Sequence, residues 1–151
     1  MLWNMMHLRP AIASDQPTIT RMIHDAGINP MSLDWHRFLI AEDDGQIIGV
    51  GQIKVHGDGS RELASLAVIP SRQGQGIGGE IIRALLANET GTMYLTCRQG
   101  LETYYARFGF RRIALDEMPP YFRRLMRLAK VFITLARAEG PIVMKRDAQD
   151  A

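Results

Sequence analysis

A chain of 151 residues with 46% hydrophobic content is long enough for one compact domain with its own core, and its formal net charge is only +2. Nothing in that balance demands nucleic acid, and no nucleic-acid partner is expected, although the basic residues are unevenly placed. One cysteine, Cys97, excludes an intrachain disulfide, and no apolar run reaches the about 18 residues that would suggest a membrane span. The opening Met1-Leu2-Trp3-Asn4-Met5-Met6-His7 lacks a charged start followed by a long apolar run, so no secretory signal is read there and a cytoplasmic setting is expected.

Ser14-Asp15 is placed to cap a helix running towards Gly27, because Ile19, Met22, Ile23 and Ala26 recur at helical spacing. Asn29-Pro30 breaks it, and a short helical segment from Ser32 to Arg37 leads into strand Phe38-Leu39-Ile40-Ala41. Asp43-Asp44-Gly45 supplies turn chemistry before Ile47 to Val55, which predicts a hairpin. A second polar turn, His56-Gly57-Asp58-Gly59-Ser60, connects to strand Glu62 to Val68. A helix from Gly78 to Asn88, a buried strand from Thr92 to Cys97, a helix from Leu101 to Phe108 and a strand from Arg111 to Leu115 follow. This order predicts an α/β fold with a mixed sheet and helices on both faces. There are no internal repeats or low-complexity segments.

After Pro119-Pro120 the chain is strongly amphipathic. Arg123, Arg127, Lys130, Thr134 and Arg137 form one stripe of a helix, and Phe122, Leu125, Ala129, Phe132 and Ala136 lie away from it. The stripe is consistent with an ordinary surface helix, with a wall that attracts carboxylates, or with a peripheral contact to an anionic membrane surface.

The most informative stretch joins the strand ending at Val68 to the next helix: Ile69-Pro70-Ser71-Arg72-Gln73-Gly74-Gln75-Gly76-Ile77-Gly78-Gly79. Four glycines in six residues let a backbone approach an anion closely, and the amide groups of a following helix's first turn point the same way. A nucleotide-triphosphate loop is excluded, because Gly74 and Gly79 lead to Glu80 and Ile81, without the required lysine and hydroxyl. Gly74-x-Gly76-x-x-Gly79 satisfies the dinucleotide fingerprint, but Leu95-Thr96-Cys97-Arg98, about 20 residues on, offers no acidic partner for a ribose.

The third reading is Gln73-x-x-Gly76-x-Gly78 preceded by Leu66-Ala67-Val68-Ile69-Pro70, which resembles the acyl-CoA signature of the GNAT superfamily of N-acetyltransferases. Leu8-Arg9-Pro10-Ala11 followed by Asp15 resembles that family's opening strand and helix, and Tyr105-x-x-x-Gly109-Phe110 its late-helix tyrosine motif. Pro141 to Arg146 resembles its last strand; the stretch from about Glu117 to Glu139 falls outside the resemblance. The resemblance implies one domain over residues 1–151 and a mostly antiparallel sheet of six or seven strands, into which the amphipathic stretch at 117–139 is inserted as a helical segment before the last strand. It further implies an acyltransferase that moves an acetyl group from acetyl-CoA directly to an amine, in a ternary complex. Leu66, Ala67, Val68, Gln73, Gly74, Gln75, Gly76, Ile77, Gly78 and Gly79 are then the cofactor-binding residues, and the segment after Pro120 borders the acceptor site.

An amine protonated near neutral pH must lose a proton before it attacks a thioester, so a base near the acceptor is needed. Glu62, six residues before Val68, resembles the glutamate of histone-acetylating relatives; a solvated strand-start residue is the bland alternative. Thr92 to Cys97 holds no carboxylate for the route that other members use. Charge developing on the thioester oxygen needs fixed donors, which a bulge beside Leu66, Ala67 and Val68 supplies in the family. Tyr105 takes the position of the acid that protonates the departing thiolate, a phenol of pKa about 10 facing a sulfur of about 8.5. Tyr104 is adjacent, and packing on an apolar helix face is the alternative for either ring. Many relatives carry asparagine where this chain has Arg98, which removes one cofactor contact. Cys97, inside an apolar strand, receives no role, and His7, His24, His36 and His56 lack metal-ligand spacing, so no metal is expected. The acceptor is a small metabolite or a protein amine, and a homodimer is compatible with the chain. The competing class is a catalytically silent acyl-CoA-binding regulatory module.

Overall fold

A computed structural model describes residues 6–136 and 139–149, without the side chains of 132–136. The strands are β1 (Met6–Pro10), β2 (Phe38–Asp43), β3 (Gln46–Val55), β4 (Arg61–Val68), β5 (Met93–Cys97), β6 (Arg111–Arg112) and β7 (Ile142–Arg146). The helices are α1 (Gln16–Asp25), α2 (Ile77–Leu86), α3 (Glu102–Ala106) and α4 (Pro120–Ala136). The strands form one seven-stranded sheet in the order β1-β2-β3-β4-β5-β7-β6, flanked by helices, as the sequence predicts. β1 with β2, β2 with β3, β5 with β7 and β6 with β7 are antiparallel, while β4 and β5 run parallel and pair at Glu62 and Tyr94. By packing, the chain resolves into two compact units, residues 1–54 with 63–88, and residues 55–62 with 89–151.

In the first unit the alternation of β2 divides its side chains between two helices. Phe38 and Ile40 join Val50 and the α1 residues Ile19, Met22 and Ile23 in one cluster, whereas Ala41 meets Ile77 and Ile81 of α2. α2 lies very close to β3, because two strand glycines face it. A Cβ at Gly49 would stand 2.8 Å from Ile81 Cδ1, and one at Gly51 would stand 2.8 Å from Ile81 Cγ2 and 3.1 Å from Leu85 Cδ1. Glycine inside a strand normally weakens it, and here it is what admits the helix.

Asp15 departs from the expected capping role. Its carboxylate takes a bidentate pair from Arg9, at 2.8 and 3.1 Å, and the Ile12 amide at 2.8 Å, closing the 3₁₀ turn Ala13–Asp15 rather than the first turn of α1. Arg9 is the main cause of the lowered pKa of Asp15, and its Nε also binds Glu42 at 3.0 Å. The part-buried pair ties the end of β1 to the entry of α1.

In the second unit, Ile113, Met118, Phe122 and Val143 form the core, with Tyr94, Tyr121 and Met126 packed against it. The strand expected from Arg111 to Leu115 is short. β6 ends at Arg112; the Ile113 amide still reaches Val143 O at 3.0 Å, but Leu115–Glu117 turns as a 3₁₀ segment that carries Met118 into the core. α4 realises the inserted amphipathic segment: Phe122 is buried, Leu125 and Ala129 are half-buried, and Arg127 and Lys130 are exposed. The side chains of Phe132, Thr134 and Ala136, and Arg137 itself, lie outside the described residues. Among the described residues no helix is long and apolar enough to cross a membrane.

Gly51→Ala forces Ile81 and Leu85 away from β3, an overpacking that is expected to cost about 1–3 kcal/mol. Urea unfolding followed by circular dichroism measures it; an unchanged midpoint would contradict the tight α2–β3 contact.

Candidate functional site

The glycine loop lies in the first unit. After β4, Pro70–Arg72 makes a 3₁₀ turn, and the chain then passes through Gly74 at φ +78° and Gly76 at φ +83° into α2. Left-handed backbone favours glycine, and both positions have open space where a Cβ would stand, so conformation and not crowding selects them. The Gln73 amide donates to Val68 O at 3.0 Å, bracing the loop across its base. Arg72 is fixed from two sides, by Asp43 at 2.8 Å and by Gln75 Oε1 at 3.0 Å. Ile77, Ile81 and Ile82 are buried, so the helix start is anchored while the amides of its first turn lack carbonyl partners within the helix. Those amides and the helix dipole suit a phosphate group.

Upstream, Ser65 holds φ +55° inside β4, a left-handed kink in a non-glycine residue. Its hydroxyl accepts from the buried Gln52 amide at 2.8 Å, which locks the kink. Leu66, Ala67 and Val68 follow it directly, where the sequence reading expects the strand to be irregular.

Glu62 lies in the second unit and is only 6% exposed, which removes the solvated alternative. Its Oε1 lies 2.8 Å from His56 Nε2. The His56 imidazole is stacked on Tyr121, with ring centroids 3.5 Å apart and planes inclined by 13°, and meets the edge of Phe122 at 5.7 Å. Asp58, in the turn between β3 and β4, accepts the Tyr121 amide at 2.9 Å and so caps the first turn of α4, while its other oxygen accepts from the Ser60 amide and hydroxyl. The Ser60 hydroxyl is the main cause of an Asp58 pKa held down at about 2, and burial followed by the charge of Glu62 raises that of Tyr121. Arg123 of the basic stripe donates to Met118 O at 2.8 Å, closing the same helix end.

Tyr105 is half-buried on α3, in edge contact with Tyr104 at 5.1 Å. Burial pushes its phenol up to about 12, so it keeps its proton throughout the neutral range. Burial also pushes the Cys97 thiol up to about 11, which leaves it a poor nucleophile. Among the described residues no group of three or more His, Cys, Asp or Glu side chains is placed to hold a metal ion.

His56 and Tyr121 are the residues that sequence reasoning passed over. Metal-ligand spacing among the histidines says nothing of pairing with a carboxylate. The available signal was that a polar five-residue turn places residues 56 and 62 at facing ends of a hairpin. Tyr121 carried no comparable signal, because its contact with His56 spans 65 residues of chain.

A family profile described as an acetyltransferase (GNAT) domain matches residues 34–112. Among solved structures the chain resembles N-acetylglutamate synthase from Neisseria gonorrhoeae in complex with coenzyme A and N-acetyl-glutamate, with TM-score 0.75 and 20% identity, over 96% of this chain and 35% of that one. It thus spans about a third of that enzyme's length. A Mycobacterium tuberculosis protein in complex with CoA matches with TM-score 0.72 and 22% identity, over 93% of this chain and 98% of the other. A ribosomal-protein alanine N-acetyltransferase from Escherichia coli matches with TM-score 0.68 and 18% identity, over 97% and 96%. At these identities the likeness shows the fold. No curated protein matches the sequence.

The ionised Asp58 is stabilised by the folded chain, so its contribution is present above the ordinary carboxylate range and fades as pH falls towards 2. Asp58→Ala is expected to lower stability by about 1 kcal/mol at pH 7, modest because the side chain is exposed, with the difference closing in acid. Denaturant titrations from pH 7 to pH 2 test this, and a gap that persists at pH 2 would contradict it.

Proposed function

The chain belongs to the GNAT acetyltransferase family, and from that premise we propose that it transfers an acetyl group from acetyl-CoA directly to the amine of a small metabolite or a protein, with both substrates bound together. The observation that carries this reading is the loop from Gln73 to Gly79, whose left-handed glycines open into the amide end of α2. The pyrophosphate of acetyl-CoA takes those amides, with Gln73, Gly74, Gln75, Gly76, Ile77, Gly78 and Gly79 as its cradle. Residues 1–151 act together as one catalytic domain in this reading.

The chemistry needs three groups. Glu62 takes a proton from the acceptor ammonium, which frees the nitrogen lone pair; its burial and its histidine partner support that role over a surface one. The nitrogen attacks the thioester carbonyl, and backbone amides at Leu66, Ala67 and Val68, behind the Ser65 kink, stabilise the oxygen as it becomes negative. As the carbon–sulfur bond breaks, Tyr105 gives its proton to the sulfur, the attacking nitrogen loses its second proton to solvent, and the phenolate is reprotonated from solvent. A phenol held near 12 is a weak acid, but the low polarity that holds it there also penalises a bare thiolate, so transfer accompanies bond breaking.

Thiol release from acetyl-CoA over a panel of amines tests the reading. Glu62→Gln is expected to lower kcat about 100-fold, most strongly at low pH, where more of the acceptor is protonated, and Tyr105→Phe to lower it comparably with acetyl-CoA affinity retained. Wild-type turnover in both variants would refute these roles, and a loss in Tyr104→Phe instead would move the acid by one residue. No thiol release by the wild type with any amine, despite acetyl-CoA binding, would favour a silent acyl-CoA module.

A further inference from the structure

The pair formed by His56 and Glu62 is enclosed by a part of the chain that lies outside the residues 34–112 of the family match. Glu62 is 6% exposed, and a carboxylate taken out of water keeps its charge only if a donor replaces the lost hydration. The His56 Nε2–H supplies one at 2.8 Å, and both the Nε2–H neutral tautomer and the protonated ring can donate it. The imidazole is held flat on Tyr121 and edge-on to Phe122, both in the first turn of α4, and Asp58 fastens that turn through the Tyr121 amide. Rotation of the ring away from Glu62 would break the stack. The ionisable groups facing the pair are Asp58 from the turn, Tyr121 from α4 and Tyr94 from β5, the register partner of Glu62.

We propose that the first turn of α4 is a positioning element of the base: Tyr121 fixes the His56 ring, and His56 in turn holds the Glu62 carboxylate aimed for proton abstraction. The inference rests on the reading of Glu62 as the base. In the step itself a proton passes from the acceptor ammonium to a Glu62 oxygen, which frees the nitrogen lone pair for the attack that forms the nitrogen–carbon bond. His56 keeps its own Nε2 proton throughout, and Glu62 later returns the acquired proton to solvent. His56 is therefore a positioning residue. The extra helix gains a role that its amphipathic pattern alone does not suggest.

The test is the pH dependence of kcat for the wild type, His56→Phe, His56→Gln and Glu62→Gln. His56→Phe keeps an aromatic ring over Tyr121 but has no N–H; His56→Gln restores an N–H donor. The expected result is a roughly tenfold lower kcat in His56→Phe at neutral pH, an acidic limb moved up by about one pH unit, an unchanged KM for acetyl-CoA, and partial recovery in His56→Gln. A wild-type profile in His56→Phe alongside a crippled Glu62→Gln would overturn this inference and leave the base reading intact. A wild-type rate in Glu62→Gln would overturn the base reading itself. If His56→Phe melts early, Tyr121→Ala serves instead: it removes the stack, a lowered kcat with a displaced acidic limb supports the proposal, and an unmoved profile overturns it.

Discussion

The close approach of α2 to β3 is the constraint on which the glycine loop and the helix start behind it depend. A helix start can serve as an anion site only if it is held still, and here the holding is done by contact that two missing Cβ atoms permit, at Gly49 and Gly51. Ile81, fully buried, fills the space they leave. With the helix axis fixed in this way, the two left-handed glycines set the direction in which the first-turn amides point, and Gln73 and Arg72 brace the loop from below and from the side. Strand, loop and helix are consistent at every level, which is the condition under which backbone amides can bind a ligand without first being ordered by it.

The second unit obeys a different constraint. Its sheet end carries a buried carboxylate, and burial of charge is tolerated only with a partner. The partner histidine is in turn oriented by aromatic stacking, and the stacked tyrosine by a capped helix turn. Removal of any one of these parts leaves another buried polar group exposed to cost, so the arrangement is more sensitive to substitution than an exposed ion pair such as that of Arg83 and Glu80.

Much of the fold was legible in the sequence, because the signals were local. The alternation in residues 38–68, the helical spacing of Ile19, Met22 and Ile23, and the glycines after Val68 each need only a few neighbours to be read. Expectations failed where distant partners decide. Asp15 has the right type and place for a helix cap, but Arg9 claims its carboxylate. The strand after Arg112 had suitable residues, yet burial of Met118 turns the chain early. For the site, the glycine loop and Glu62 were visible as a pattern, whereas the burial of Glu62 was not, since the ring that stacks on its partner His56 arrives 65 residues after that histidine. The strand glycines at 49 and 51 were equally silent, because nothing in the sequence says which helix faces them.

Calorimetric titration of the protein with acetyl-CoA is the most direct test, since the proposed function requires the glycine loop to hold that molecule. Saturable one-to-one binding that is lost in Gly76→Glu, where a side chain and a negative charge enter the left-handed position, is the predicted result. Absence of binding at millimolar acetyl-CoA, or binding untouched by Gly76→Glu, would contradict the assignment of the loop.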